Sequence, residues 1–281
     1  MSESALKIGI VAPGSRIEES VAQKVKDEAA ALYLDKPPEI YFHPQCFLSS
    51  RHFAGDDAAR ARAFIEFAND ESYDALWFAR GGYGSCRLVD DVLGEVSNAA
   101  KKKLYLGYSD TGALLAALYS RGFSRLAHGP MPVDITRAGG DEPVRRALRF
   151  LVEGARDTLE PTVSPTKKTA AFNITILSQV LGTPYQPDLS DHVVMLEEVS
   201  EQMYRIDRAL FHITSNPEIR NVAGIMLGRC SDIPPNDPDF GQTEEGVAKH
   251  WCNHAGIPYL GRADIGHDTK NKIVPFGVLP G

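Results

Sequence analysis

Lys103-Leu-Tyr-Leu-Gly107-Tyr-Ser109-Asp-Thr-Gly-Ala-Leu-Leu-Ala-Ala-Leu-Tyr119 passes from a short apolar strand through one abrupt turn into a helix. Leu104, Tyr105 and Leu106 suit a buried parallel strand, Gly107 lets the backbone bend, and Asp110-Thr111 open an Ala/Leu-rich helix. A serine at that bend belongs to neither element, so its hydroxyl is expected at the carboxyl end of the sheet. The amide of Asp110, at the helix N-terminus, points where an oxyanion would develop. The turn is nucleophile-elbow-like, although the usual pattern is Gly-x-Ser-x-Gly and Gly112 comes one residue late. A helix N-cap at Ser109, or an ordinary strand-to-helix turn, accounts for the same residues.

Outward from this turn, the first half of the chain alternates regularly. Apolar strands are expected at 7–12, 39–42, 75–79, 103–108 and 125–128, with helices near 18–33, 57–69, 86–96, 111–119 and 142–151. Such alternation predicts an α/β fold with a doubly wound parallel sheet over residues 1–152. Ligands bind such sheets beyond the carboxyl ends of the strands. Three loops have the composition for that edge: Pro13-Gly14-Ser15, Arg80-Gly-Gly-Tyr-Gly84 and Gly107-Tyr-Ser-Asp110. Residues 153–169 are polar, hold two prolines and read as a linker. A smaller C-terminal domain over 170–281 follows, with short strands at 192–197, 223–227 and 259–262 and a helix near 201–214.

Composition narrows the function classes. The 281 residues are 43% hydrophobic and 24% charged, as for an ordinary globular protein. A formal net charge of −7, with no basic run beyond Lys101-Lys102-Lys103, argues against nucleic acid as a partner. No stretch approaches the ~18 apolar residues of a membrane span, and the N-terminus lacks the basic start of a signal peptide. A cytoplasmic protein without membrane association is expected. Cys46, Cys86, Cys230 and Cys252 have no paired spacing and read as reduced thiols. His250 and His254 could share a helix face, but with no acidic residue between them and no second ligand cluster nearby they read as a solvated helix end, and no metal is expected.

Arg80-Gly81-Gly82-Tyr83-Gly84 lacks the Lys-Ser/Thr of a P-loop and the spacing of a dinucleotide fingerprint. A glycine pair there permits close backbone approach to a group beside Ser109, or simply a tight turn. Glu197 ends an apolar strand, and His267 lies in a loop after another. Ser109, Glu197 and His267 all fall at strand-end turns, in that order.

Together these segments resemble the murein tetrapeptide LD-carboxypeptidase family of serine peptidases, which includes microcin-immunity peptidases. The similar stretches are Val11-Ala-Pro-Gly14, Arg80-Gly-Gly-Tyr-Gly84 with Arg87-Leu88, Gly107-Tyr-Ser-Asp110 and His128-Gly-Pro-Met131. Leu181-Gly-Thr-Pro184, Leu196-Glu-Glu198, Tyr204-Arg-Ile-Asp-Arg208 and Gly266-His267 follow in the second half. The resemblance covers nearly the whole chain and implies a triad of Ser109, Glu197 and His267 spanning two domains. It also implies an oxyanion hole from the amides of Asp110 and Gly82, substrate contacts at Tyr83 and Asn173, and a β-rich swivelling β/α second domain. The implied substrate is a muropeptide or other small peptide, with no cofactor implied and homodimerisation left open. Two departures stand out. The family's Gly-Gly-Asn is Ala171-Phe172-Asn173 here, and the chain stops soon after Phe276-Gly277-Val278, so a last strand is expected to be missing or the chain shortened. The rival readings are a microcin-immunity-type amidase, a non-enzymatic small-molecule binding module and an α/β-hydrolase esterase. The amidase would want a more aromatic loop than 230–243, which holds only Phe240, and the esterase would want a smaller residue than Thr111.

Overall fold

The computed structural model describes residues 5–278. Its first sheet has six strands in the order β10-β5-β4-β3-β1-β2. These are β1 (Lys7–Val11), β2 (Glu39–Phe42), β3 (Ala75–Phe78), β4 (Leu104–Gly107), β5 (Leu126–His128) and β10 (Val274–Pro275). The first five pair in parallel, and β10 adds antiparallel to β5. Crossover helices α1 (Glu19–Leu32), α2 (Asp57–Asn69), α3 (Val89–Glu95), α4 (Gly112–Ser120) and α5 (Asp141–Glu153) cover both faces. Period-two alternation sorts the strand residues between them: Ala75 and Trp77 join the core with α1 and α5, while Leu76 and Phe78 join that with α2 and α4. All four residues of β3 are buried, as a central parallel strand requires.

A second sheet of four parallel strands has the order β6-β7-β8-β9. It comprises β6 (Lys168–Asn173), β7 (His192–Val199), β8 (Gly224–Ser231) and β9 (Tyr259–Arg262), accompanied by α6 (Ile174–Val180), α7 (Met203–Ser215) and α8 (Glu244–Ala255). Leu177, Ile206, Leu210 and Val247 from these helices pack into one core with Val194, Leu196 and Leu227. That core runs on into the α2–α4 side of the first sheet, where Phe172 meets Phe276 with ring centroids 5.0 Å apart. The strand β6 begins inside the stretch read as linker, and β10 returns the chain to the first sheet. Among the described residues, no helix is long and apolar enough to cross a membrane.

Candidate active site

Ser109 follows β4 with φ of +60°, a left-handed conformation costing a non-glycine residue about 1–2 kcal/mol. It is not a helix cap, since Tyr108 takes that place in extended conformation. The turn is fastened on both sides. Thr111 Oγ1 donates to the Tyr108 carbonyl at 2.8 Å. The buried Asp110 carboxylate accepts from the amides of Gly84 at 3.3 Å and Ser85 at 2.8 Å, while Ser85 Oγ donates to the Asp110 carbonyl. Burial pushes the Asp110 carboxyl up, against the Ser85 and Gly84 hydrogen bonds that pull it down. Through this side chain the glycine turn 80–84 is tied to the elbow.

Space enforces the same arrangement. A Cβ on Gly107 would stand 2.5 Å from the Phe78 ring and 2.7 Å from Thr111 Oγ1. One on Gly81 would meet Ser109 Oγ at 2.7 Å. Gly82 has φ of +93°, and its missing Cβ leaves room for Ser15, whose amide donates to the Gly81 carbonyl at 3.1 Å. Arg60, its side chain fully buried, donates to the carbonyls of Pro13 and Gly84 and pairs with Asp57. It braces both flanking loops from below.

The other half of the site comes from the second sheet. Glu197 is fully buried on β7, where the register against β8 shifts between Leu196 and Glu198. Such bulges re-aim side chains beside active sites. Its Oε2 lies 2.5 Å from Nδ1 of His267, on the loop after β9. An ionised carboxylate can only accept, so Nδ1 carries the proton and Nε2 presents a lone pair. Nε2 is buried and makes no hydrogen bond. Burial lowers the His267 pKa, but the charge and hydrogen bond of Glu197, with Asp134 and Glu198 adding, outweigh it and raise the pKa above 6.5. The loop itself is held by Asn271, which accepts from the Gly266 amide at 3.1 Å, and by Arg229, which grips Asp264 and Asp268.

Ser109, His267 and the Gly81-Gly82 pair line one open cavity of about 310 Å³ between the sheets. Arg80, Tyr108, Asp134 and Arg137 are also in its wall. The Tyr108 ring lies 4.8 Å from that of His267, and its hydroxyl donates to Asp134 at 2.9 Å. Beneath them His128 is wholly buried, and burial lowers its pKa to about 4, so it stays neutral. The structure therefore brings Ser109, Gly82, Asp110 and the Glu197–His267 pair to one place. It does not bring Tyr83 or Asn173 to the cavity wall. Tyr83 is 50% exposed and leans on His52 and Phe53. Asn173 is buried, donating to Glu198 at 2.5 Å and accepting from Ile176 as the N-cap of α6. Sequence reasoning missed Arg60, Asp134, Arg137, Arg229 and Asn271. Only Asp134 and Arg137 had a signal, standing just after His128-Gly-Pro-Met131. The histidines His250 and His254 stack 6.4 Å apart, and no cluster of three or more ligand-type residues among the described residues could hold a metal.

Comparison with known proteins gives this geometry its family. Residues 8–129 match the LD-carboxypeptidase N-terminal domain and residues 168–279 the LD-carboxypeptidase C-terminal domain. The chain belongs to the LD-carboxypeptidase family. A Synechocystis relative, provisionally named a carboxypeptidase, is 31% identical to this LD-carboxypeptidase family member over 237 residues, spanning 80% of this chain and 75% of its own. The murein tetrapeptide carboxypeptidase of Pseudomonas aeruginosa is 21% identical over 96% of this chain and 91% of its own. Among solved structures, the muramoyltetrapeptide carboxypeptidase of Oxalobacter formigenes shares the fold with a TM-score of 0.80 at 23% identity, covering 96% of this chain and 92% of that one. The microcin-immunity protein MccF, in complex with glutamyl sulfamoyl guanosine, shares it with a TM-score of 0.79 at 15% identity, covering 98% and 92%. This LD-carboxypeptidase family member is accordingly a serine-type carboxypeptidase with the family's two-sheet α/β architecture.

Proposed function

We propose that the protein is a cytoplasmic LD-carboxypeptidase that removes the terminal D-alanine from muropeptide tetrapeptides in peptidoglycan recycling. The observation that carries this reading is the Glu197–His267 pair at 2.5 Å, whose imidazole, with Nε2 unpartnered, lines the same cavity as a serine held at positive φ. In this reading His267 Nε2 takes the Ser109 proton as Oγ attacks the scissile carbonyl, and the amides of Asp110 and Gly82 receive the oxyanion. His267 then passes that proton to the departing nitrogen of D-alanine, and water hydrolyses the acyl-enzyme by the same route. Glu197 fixes the imidazole tautomer and stabilises the imidazolium. Ser109 and His267 are not hydrogen-bonded to each other here, and such contacts characteristically tighten only when substrate closes the site.

A muropeptide substrate agrees with the names of the murein-peptide relatives. The amidase reading has less support, because Phe240, the one aromatic of its loop, is partly buried and packs against the hydrophobic core. The test is a pair of tetrapeptides differing only in the last residue, D-alanine or L-alanine. Wild type should prefer the L,D bond by at least roughly 10²-fold in kcat/KM, about 2.7 kcal/mol, and Ser109→Ala should fold yet lose turnover on both. Equal rates on the two peptides would leave a general carboxypeptidase and remove the cell-wall assignment.

A further inference from the structure

A carboxypeptidase must recognise a free chain terminus, and chain geometry limits where that can happen. The terminal carboxylate lies one residue beyond the scissile carbonyl, a span of at most about 3.6 Å. Whatever binds it must line the same cavity as Ser109. Two cations do, Arg80 and Arg137. They differ in how they are held.

Arg80 is exposed on the rim, and its hydrogen bond, to the Arg16 carbonyl, is a long 3.4 Å. Arg137 caps the short helical turn Pro132–Thr136 and gives its Nε to Asp134 at 2.9 Å. Asp134 is itself immobilised: only 1% exposed, it also accepts from the Tyr108 hydroxyl at 2.9 Å and the Met131 amide at 2.8 Å. With three donors its charge is answered internally. Of the five donors in the guanidinium fork, Asp134 takes Nε, the Tyr108 hydroxyl lies close by, and the side chain as a whole is 40% exposed. A planar fork fixed at one nitrogen is already oriented, so a carboxylate can be gripped with little further loss of side-chain freedom. The cavity's other carboxylate neighbour, Glu197, is fully buried behind His267 and bonded to it.

We infer that Arg137, oriented by Asp134, binds the terminal carboxylate of the substrate and so makes the enzyme an exopeptidase. The inference rests on the LD-carboxypeptidase reading above. Asp134 links this subsite to the base, because Tyr108, which bonds Asp134, packs its ring on His267. A carboxylate landing on Arg137 thus docks against the same wall that positions the imidazole.

The experiment compares an L,D tetrapeptide ending in free D-alanine with the same peptide ending in D-alanine amide, on wild type, Arg137→Gln, Arg137→Lys and Arg80→Gln. Wild type should favour the acid. Arg137→Gln should lower kcat/KM on the acid by about 10- to 100-fold, mainly through KM, and leave the amide within about threefold, as expected for a lost charge-assisted bidentate contact. Arg137→Lys should recover part of the loss. An equal fall on acid and amide would mean that Arg137 is merely structural, and transfer of the effect to Arg80→Gln would overturn the assignment. Binding of N-acetyl-D-alanine against its amide, followed by NMR on wild type and Arg137→Gln, reads the site without turnover. If wild type cleaves neither tetrapeptide, the peptidase reading falls, while the carboxylate site still stands or falls on that binding pair.

Discussion

Replacing Gly81 by alanine tests whether the glycine turn exists to make room for the nucleophile. The new methyl carbon would stand 2.7 Å from Ser109 Oγ and 2.8 Å from Ser109 Cβ. Unstrained contacts between such atoms begin near ~3.5 Å, so the two groups must separate by about 0.8 Å. Neither side yields easily. Ser109 is fixed by its turn, and the Gly81 carbonyl accepts from Ser15 while the Asp110 carboxylate holds Gly84 and Ser85. The displacement is therefore shared between the hydroxyl and the loop carrying the Gly82 amide. A misplacement of about 1 Å costs on the order of 10²-fold in rate, and loss of one oxyanion donor costs ~10²–10³-fold. Gly81→Ala should lower kcat/KM for D-alanine release by roughly 10²- to 10³-fold, or ~2.7–4 kcal/mol. Overpacking should take only about 1–3 kcal/mol from stability. Gly94→Ala, on an exposed turn of α3 with nothing within 4 Å, is the matched control and should leave the rate near wild type while stability stays level or rises by up to about 1 kcal/mol. Thermal melts establish that each variant is folded before rates are compared. A folded Gly81→Ala enzyme within threefold of wild type would refute the reasoning.

Two further outcomes follow from the same geometry. Ser109→Gly should abolish turnover and at the same time raise thermal stability by about 1 kcal/mol, because glycine adopts φ of +60° without strain; a destabilised Ser109→Gly protein would argue against a strained elbow. The raised pKa of His267 puts the acid limb of the rate above pH 6.5, with activity lost as pH falls through that value, since only neutral imidazole accepts the serine proton. A profile of kcat/KM against pH whose acid limb lies below pH 6 would contradict the Glu197 contribution.

The first sheet was legible because its strands are buried runs separated by amphipathic helices, and such periodicity survives without tertiary context. The second sheet was harder. The strand β6, Lys168–Asn173, begins with polar Lys-Thr beside a proline-containing stretch, α6 was not anticipated, and α8 showed only as a helix end around His250 and His254. β10 has two residues, one of them proline, and only its partner β5 makes it a strand. At the site, Ser109 announced itself through the turn that carries it, while Glu197 and His267 gained meaning only from their order and from family resemblance. Arg60 and Arg229 could not be found by pattern, because each acts on backbone or loop groups far along the chain, and Asn271, which holds the Gly266 amide five residues away, belongs to no recognisable motif. Asn173 shows the converse: a motif position whose polar ends are both spent on Glu198 and the start of α6.

The return of β10 to the first sheet sets a timetable for synthesis. Val274 pairs with His128, so β5 keeps an open edge until Val274 too has left the ribosome. At about 5–20 residues per second that delay is on the order of 10 s, long enough for the nascent sheet to need shielding of its unpaired edge. His267 travels in the same late segment. On the proposed mechanism the serine is therefore made before its base, and a nascent chain that has reached Ser109 but not His267 would carry the nucleophile without the means to activate it.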